Sequence, residues 1–437
     1  MSAAAVLLVA CVAVLVPVSL ARPWVGYLAY TWLSLMVPHR LVGGMVANWP
    51  FAKVIALATL VGLLFTRDRY PLPRRRELML LGCFWLVAVC STVWAAQQPQ
   101  RAWPQLEQFS KIVLMTVVAL VLFRDRRKIR WWLLVIASSI GSIAVGGSIY
   151  AIGTGFASLL FGPQGSMIDD NNGLGFALAM VLPLFAFLLI GTDRAWLRAL
   201  LLLGFFCTLI AIVATYSRGS FIVLCVILPL VLFLLPRKDL IVAACLAGLT
   251  VVALTPPQWG GRMATITPAA YRATASGAQR VQSWYVAWKV GVDQPLLGAG
   301  FRPFTPELYE RYLPGYSDYH DAHNHFLQVL AEHGFTGLIL FSALLATVML
   351  RMWRTAGATA LAPQHAWVRP IALMTFCSLV AYVVGGMFIN SPYFELLYQM
   401  IAVAVLVDDM ARSPVADDAP AAARPIAALI AERICHR

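Results

Sequence analysis

The feature that most constrains this chain is a succession of apolar runs, each near the length of a membrane-crossing helix. A helical span takes about 20 mostly apolar residues. Runs of that kind fall at 3–20, 23–37, 50–66, 78–96, 109–123, 131–152, 173–190, 196–215, 220–235, 240–255, 326–350, 370–389 and 394–407. The expectation is an all-α polytopic membrane protein with about 12 transmembrane helices, or 13 if the first two runs both cross. Arg22-Pro23 separates those two, and the second also fits a re-entrant or interfacial helix. The first run has no basic stretch before it and no clear cleavage site, so it does not read as a removed signal peptide. Composition agrees: 60% of the 437 residues are hydrophobic and 12% charged. Soluble domains are nearer 45–50% and about 25%, so a soluble enzyme and a disordered chain are both excluded. The eight cysteines lie in apolar runs or the tail without a CxxC pair, which indicates neither a disulfide framework nor a zinc site.

The formal charge of +13 points to membrane orientation rather than to nucleic acid. The basic residues crowd one set of connections. These are Arg67, Arg69 and Arg74–Arg76; Arg124, Arg126, Arg127, Lys128 and Arg130; Arg194 and Arg198; Arg237 and Lys238; Arg351, Arg354 and Arg369; and the tail Arg412, Arg424, Arg433 and Arg437. The alternate connections at 97–108, 153–172 and 390–393 hold only Arg101. Positive-inside places the crowded set in the cytoplasm. Residues 1–409 then form a single membrane domain, and 410–437 an Ala/Pro-rich, flexible cytoplasmic tail. The connection 256–325 is exceptionally long and lies on the outer side by count. Long loops on economical chains are usually functional. Within it, residues 280–291 place Val281, Trp284, Tyr285 and Trp288 on one face, as in an amphipathic helix at an interface or packed on the bundle.

Cations on the outer side are what orientation disfavours, so they carry the functional argument. Arg218 sits between two apolar runs in Thr215-Tyr216-Ser217-Arg218-Gly219-Ser220. A guanidinium there can snorkel to the interface, or grip a phosphate bidentately. The long connection adds Arg262, Arg272, Arg280, Lys289, Arg302 and Arg311, which suit an anionic substrate. It ends in the densest polar cluster of the chain: His320, Asp321, His323, Asn324 and His325, then Glu332 and His333. His320 and His323 are at i,i+3 if the following helix starts early. Metal binding, general-base catalysis and helix capping all remain open for this cluster. Asp169-Asp170 reads as a cap for the run at 173 in preference to a cation site.

His323-Asn324, nine residues, then Gly334-Phe335-Thr336-Gly337 resembles the signature of the O-antigen ligase superfamily. Tyr216-Ser217-Arg218-Gly219-Ser220 resembles that family's span-break arginine. Arg280 with Pro295-Leu296-Leu297-Gly298-Ala299-Gly300 resembles the segment before its histidine motif. Arg22-Pro23-Trp24-Val25-Gly26 through Met36-Val37-Pro38-His39-Arg40 is similar to the branch called exosortase A-associated putative O-glycosylation ligases.

The resemblance implies a C-type glycosyltransferase-like helical bundle in the bacterial inner membrane, with its site facing the periplasm. Such proteins move a glycan from undecaprenyl diphosphate to a hydroxyl of lipid A-core or of a protein Ser or Thr, without a metal or other cofactor. Carried onto this chain, Arg218, Arg280 and Arg302 hold the diphosphate and His323 is the general base. Asn324 caps the helix or orients the base, and Tyr216, His320 and Asp321 support. A polymerase using the same donor is the nearest alternative. A lipid-linked glycan transporter and a metal-dependent hydrolase built on His320, Asp321, His323 and His325 are more distant ones.

Overall fold

The computed structural model describes residues 2–235, 256–267, 274–359 and 365–412. The expected run 240–255, the cations Arg237, Lys238, Arg272, Arg424, Arg433 and Arg437, and the tail 413–437 lie outside the described residues.

Every regular element among the described residues is helical. Eight helices are long and apolar enough to cross a membrane: Ala3–Ala21, Arg76–Ala95, Pro99–Leu122, Arg126–Gly153, Asn171–Leu188, Ala195–Ala214, His325–Ala358 and Val368–Gly385. Phe51–Phe65 and Arg218–Leu234 are shorter apolar helices. Pro23–Leu35 and Glu395–Arg412 pack in the same bundle. At 1.5 Å per residue Pro23–Leu35 is about 20 Å long, short of a hydrocarbon core of about 30 Å.

Local chemistry sets many helix starts. Ser2, Asp125, Asp170, Ser217, Thr274, Thr305 and Asn324 each accept a backbone N–H of the first turn. These are the residue types whose short side chains satisfy the orphan donors at a helix N-terminus. Pro23, Pro38, Pro99, Pro257 and Pro306 stand in the first turn, where no N–H is needed. Asp170 Oδ1 accepts from Gly173 N at 2.5 Å, the capping role read from the sequence.

Asn171–Leu188 is buried along nearly its whole length. It packs against Arg126–Gly153, Ala195–Ala214, Arg218–Leu234 and Val368–Gly385. His325–Ala358 packs against Arg76–Cys90, Val368–Gly385 and Glu395–Arg412.

The two ends of that helix are chemically opposite. At its C-terminal end, Arg351 binds Glu77 Oε1 at 2.5 Å and Asp408 Oδ2 at 2.7 Å. Asp408 also meets Arg412 at 2.9 Å, and Arg75 binds Asp409 at 2.6 Å, with Arg124 on the same carboxylate. At its N-terminal end lies the histidine cluster.

The long connection is folded. Pro257–Met263, Ala275–Asp293 and Pro306–Tyr312 are helices. Val286, Val290, Ala299, Phe304, Leu308, Tyr309 and Ala322 form a small second core with Ala331 of the His325 helix. The Ala275–Asp293 helix turns Ser283, Val286, Ala287 and Val290 inward and leaves Val281, Tyr285, Trp288 and Val292 exposed. The sequence reading opened this helix at Arg280. It starts earlier, because Thr274 accepts from Gly277 N.

Candidate active site

Two connected features place His323. Asn324 adopts an extended conformation and its Oδ1 accepts from Phe326 N at 3.0 Å and Leu327 N at 3.2 Å. The helix therefore begins at His325, and His323 stands just outside it with φ of +45°. The helical i,i+3 pairing of His320 with His323 does not form, because this cap ends the helix before either residue. Asn324 is the cap. His325 turns away into the core, its ring 4.7 Å from Tyr382 and 5.5 Å from Phe176.

The helix then breaks at Gly334, with φ of +67° and ψ of −169°. The broken turn frees backbone groups that the Pro295–Gly300 segment takes up. Phe335 N donates to Pro295 O at 2.7 Å, Ala299 N to Ala331 O at 2.9 Å, and Gly300 N to Glu332 O at 3.0 Å. Helix breaks at membrane depth persist only when their backbone groups find such partners. A Cβ on Gly334 would lie 2.4 Å from Pro295 O, and one on Gly298 2.6 Å from Ala331 O. The two sequence motifs thus form one interlocked unit, and it carries Arg302 to the cavity facing His323.

His323 lines two adjoining cavities, of 380 and 730 Å³. Both are also bordered by Gln105, Gln108, Arg302 and Asp321. The smaller includes Asp169, Asp170, Gln328, Glu332, Asn390 and Tyr393. The larger includes Arg101, Tyr319 and His320. A third cavity, of 510 Å³, is lined by Arg218, Arg262 and Arg280 together with Ile222, Trp284 and Phe388. All three volumes lie in the range of small-molecule sites, about 300–1,000 Å³. Arg218 donates to Thr265 Oγ1 and Ser276 Oγ, each at 2.9 Å, which joins the span break to the long connection.

Burial, and after it the Arg280 guanidinium, hold the His323 imidazole below its ordinary pKa of 6.5. Asp321 and Asp170 pull the other way, and His320 adds to the lowering. The net effect favours neutral imidazole, the form that accepts a proton.

The structure thus gathers His323, Arg302, Asp321 and His320 on one pair of cavities and places Arg218 and Arg280 on another. Arg280 links the two through its field at His323. Tyr216 does not enter any of them: its hydroxyl donates to Phe156 O at 2.7 Å and braces the span break. His320 Nε2 stands 2.6 Å from Asp318 Oδ1. Among the described residues no three His, Cys, Asp or Glu side chains are grouped to hold a metal ion. The sequence reading missed Gln105, Gln108, Asn390 and Tyr393. Gln105 and Gln108 carried the only available signal, two amides one helical turn apart in an outer connection.

Residues 203–342, the segment holding Arg218, Arg280, Arg302 and His323, match the family model described as O-antigen ligase. Residues 3–192 match a model described as a family of unknown function. No curated protein matches the chain. The first match supports the O-antigen ligase superfamily and a glycan transfer of ligase or polymerase type in a multi-pass membrane protein.

Proposed function

We propose that this chain transfers a glycan from undecaprenyl diphosphate to an acceptor hydroxyl at the periplasmic face of the bacterial inner membrane. One observation carries the reading. A cavity lined by three arginines and apolar side chains, the chemistry of a lipid diphosphate, is coupled through the field of Arg280 to His323 in the polar cavities, whose imidazole pKa burial and that charge lower.

The donor's diphosphate sits among Arg218, Arg280 and Arg262, and its prenyl chain lies along the apolar wall of Ile222, Trp284 and Phe388. Guanidinium groups stay charged and match phosphate oxygens in pairs. Fixed cations aimed at the leaving diphosphate stabilise the charge that develops there. The acceptor enters the polar cavities on the other side of His323. His323 takes the proton of the acceptor hydroxyl, whose oxygen attacks the anomeric carbon as the bond to the diphosphate breaks. Direct displacement of this kind inverts the anomeric centre. Arg302 faces the same cavities and meets the diphosphate as it leaves. In this reading arginines neutralise the diphosphate, so no metal or cofactor takes part. The acceptor is lipid A-core, as in O-antigen ligases, or a protein Ser or Thr, as in the O-glycosylation ligase branch that the N-terminal stretch resembles.

The test is transfer from purified undecaprenyl-diphosphate glycan to candidate acceptors. His323→Ala is expected to lose turnover by a factor of about 100 to 10,000, the usual span of general-base catalysis, while donor binding is retained. Arg218→Ala is expected to weaken donor binding as well. Wild-type transfer by His323→Ala, or loss of transfer on adding EDTA, overturns the reading.

A further inference from the structure

Only five non-glycine residues among those described have positive φ, and two of them, Arg302 at +50° and His323 at +45°, line the same cavities of the candidate site. Strained backbone of this kind costs on the order of 1–3 kcal/mol per residue and persists only where neighbours over-determine it. What over-determines these two converges on one pair of side chains.

Glu332 and Gln328 are one turn apart on the His325 helix, and both are buried. Glu332 Oε1 accepts from the backbone N–H of Arg302 at 3.0 Å. The same oxygen accepts from Gln328 Nε2 at 2.7 Å. Gln328 Oε1 in turn accepts from the backbone N–H of Ala322, the residue before His323, at 3.2 Å. Glu332 Oε2 accepts from the Tyr393 hydroxyl, whose oxygen is 2.8 Å from His333 Nε2. The other side of Ala322 is held as well, its carbonyl accepting from Trp284 Nε1 at 2.8 Å.

We propose that Gln328 and Glu332 form a clamp that fixes the spacing of Arg302 and His323 across the site, acting as positioning residues for both. The inference rests on the transferase reading above and adds two residues to it. Neither needs to touch substrate. A chain of four groups, Ala322 N–H to Gln328 to Glu332 to Arg302 N–H, ties the loop before His323 to the loop that carries Arg302. A buried pair of this kind also gives the strained loops a single arrangement, since any other leaves a buried carboxylate short of donors.

The geometry makes a discriminating choice of variants possible. Both clamping bonds end on one oxygen, Oε1, which an amide retains. In Glu332→Gln the new Nε2 replaces Oε2 and donates to the Tyr393 oxygen, which turns its own proton to His333. Glu332→Gln is therefore expected to keep turnover within a few-fold of wild type. Glu332→Met and Gln328→Met remove the clamp at similar volume and are expected to lower kcat by about 100-fold, the cost of misplacing reacting groups by about an ångström. The double Met variant is expected to be no worse than either single one, because the pair acts as a unit.

The second measurement needs no turnover. An NMR titration of labelled histidines, with the His323 signal identified by its loss in His323→Ala, follows the imidazole directly. The charged groups facing it are Arg280 of the Ala275–Asp293 helix, Asp170 at the start of Asn171–Leu188, and Asp321 and His320 of its own loop. In Glu332→Met the loop is released from this setting and the His323 titration moves toward the ordinary histidine value. In Glu332→Gln it stays.

A Glu332→Gln variant as impaired as Glu332→Met, or an unmoved His323 titration in Glu332→Met, overturns the clamp. If His323→Ala instead retains transfer while the His323 titration still moves in Glu332→Met alone, the clamp stands and the general-base assignment falls.

Discussion

The base role proposed for His323 rests on where it is buried and on what stands behind it. Burial lowers its pKa first and the Arg280 charge second, so the imidazole remains neutral to lower pH than a free histidine. Activity should fall as pH drops through this lowered pKa, since protonation removes the lone pair. Arg280→Gln takes away a lowering influence, so the pKa rises. The acid limb of kcat/KM should then shift to higher pH, and donor affinity should fall separately. An acid limb that stays in place, measured over pH 4 to 8, would show that another group controls it. At this scale the sequence singles out residues where chemistry and rarity coincide. His323, Arg218 and Arg280 stand out because charged and titratable residues are scarce near the spans. Gln105, Gln108 and Tyr393 did not stand out, since amides and tyrosines are ordinary at membrane interfaces and only the fold brings them to His323.

The helices themselves were largely readable, because a span needs an apolar run and a cap, and both are local. The start of the His325 helix was not. Its residues are compatible with a helix beginning at His320, and the decision rests with Asn324, whose extended backbone ends the helix there. The break at Gly334 was visible only as part of a motif. Its partners, Pro295 and the segment that follows, lie almost 40 residues upstream. Gly334→Ala tests the interlock. An added Cβ would sit 2.4 Å from Pro295 O in a conformation nearly restricted to glycine. The expected loss is at least about 1–3 kcal/mol, read as a lower thermal midpoint of the detergent-solubilised protein together with lost transfer. A variant as stable as wild type would mean that Pro295–Gly300 does not depend on the break.

For the whole molecule, four of the arginines that crowd one set of connections also tie helices of the bundle together. Arg351, Arg75, Arg124 and Arg412 converge on Glu77, Asp408 and Asp409 at the end of the bundle remote from His323. From Phe335, just past the break, to Arg351 is about 24 Å at the helical rise, most of the thickness of a hydrocarbon core of about 30 Å. The sequence shows which end these arginines favour, but their partners lie on other helices hundreds of residues away. Arg351→Ala leaves the fully buried Glu77 without its guanidinium and should destabilise the protein by about 3–5 kcal/mol. Replacing both partners, Arg351→Met with Glu77→Gln, should recover most of that loss in the same thermal assay. Equal stability of Arg351→Ala and wild type would show that the network contributes nothing.

The left-handed backbone at Arg302 and His323 has a consequence for how the protein can change. At each position glycine would relieve the strain and erase the side chain in a single substitution. Selection for robustness alone would therefore drift toward a sturdier, inert bundle. Under the chemistry proposed above, Arg302 and His323 are where the molecule exchanges durability for reactivity.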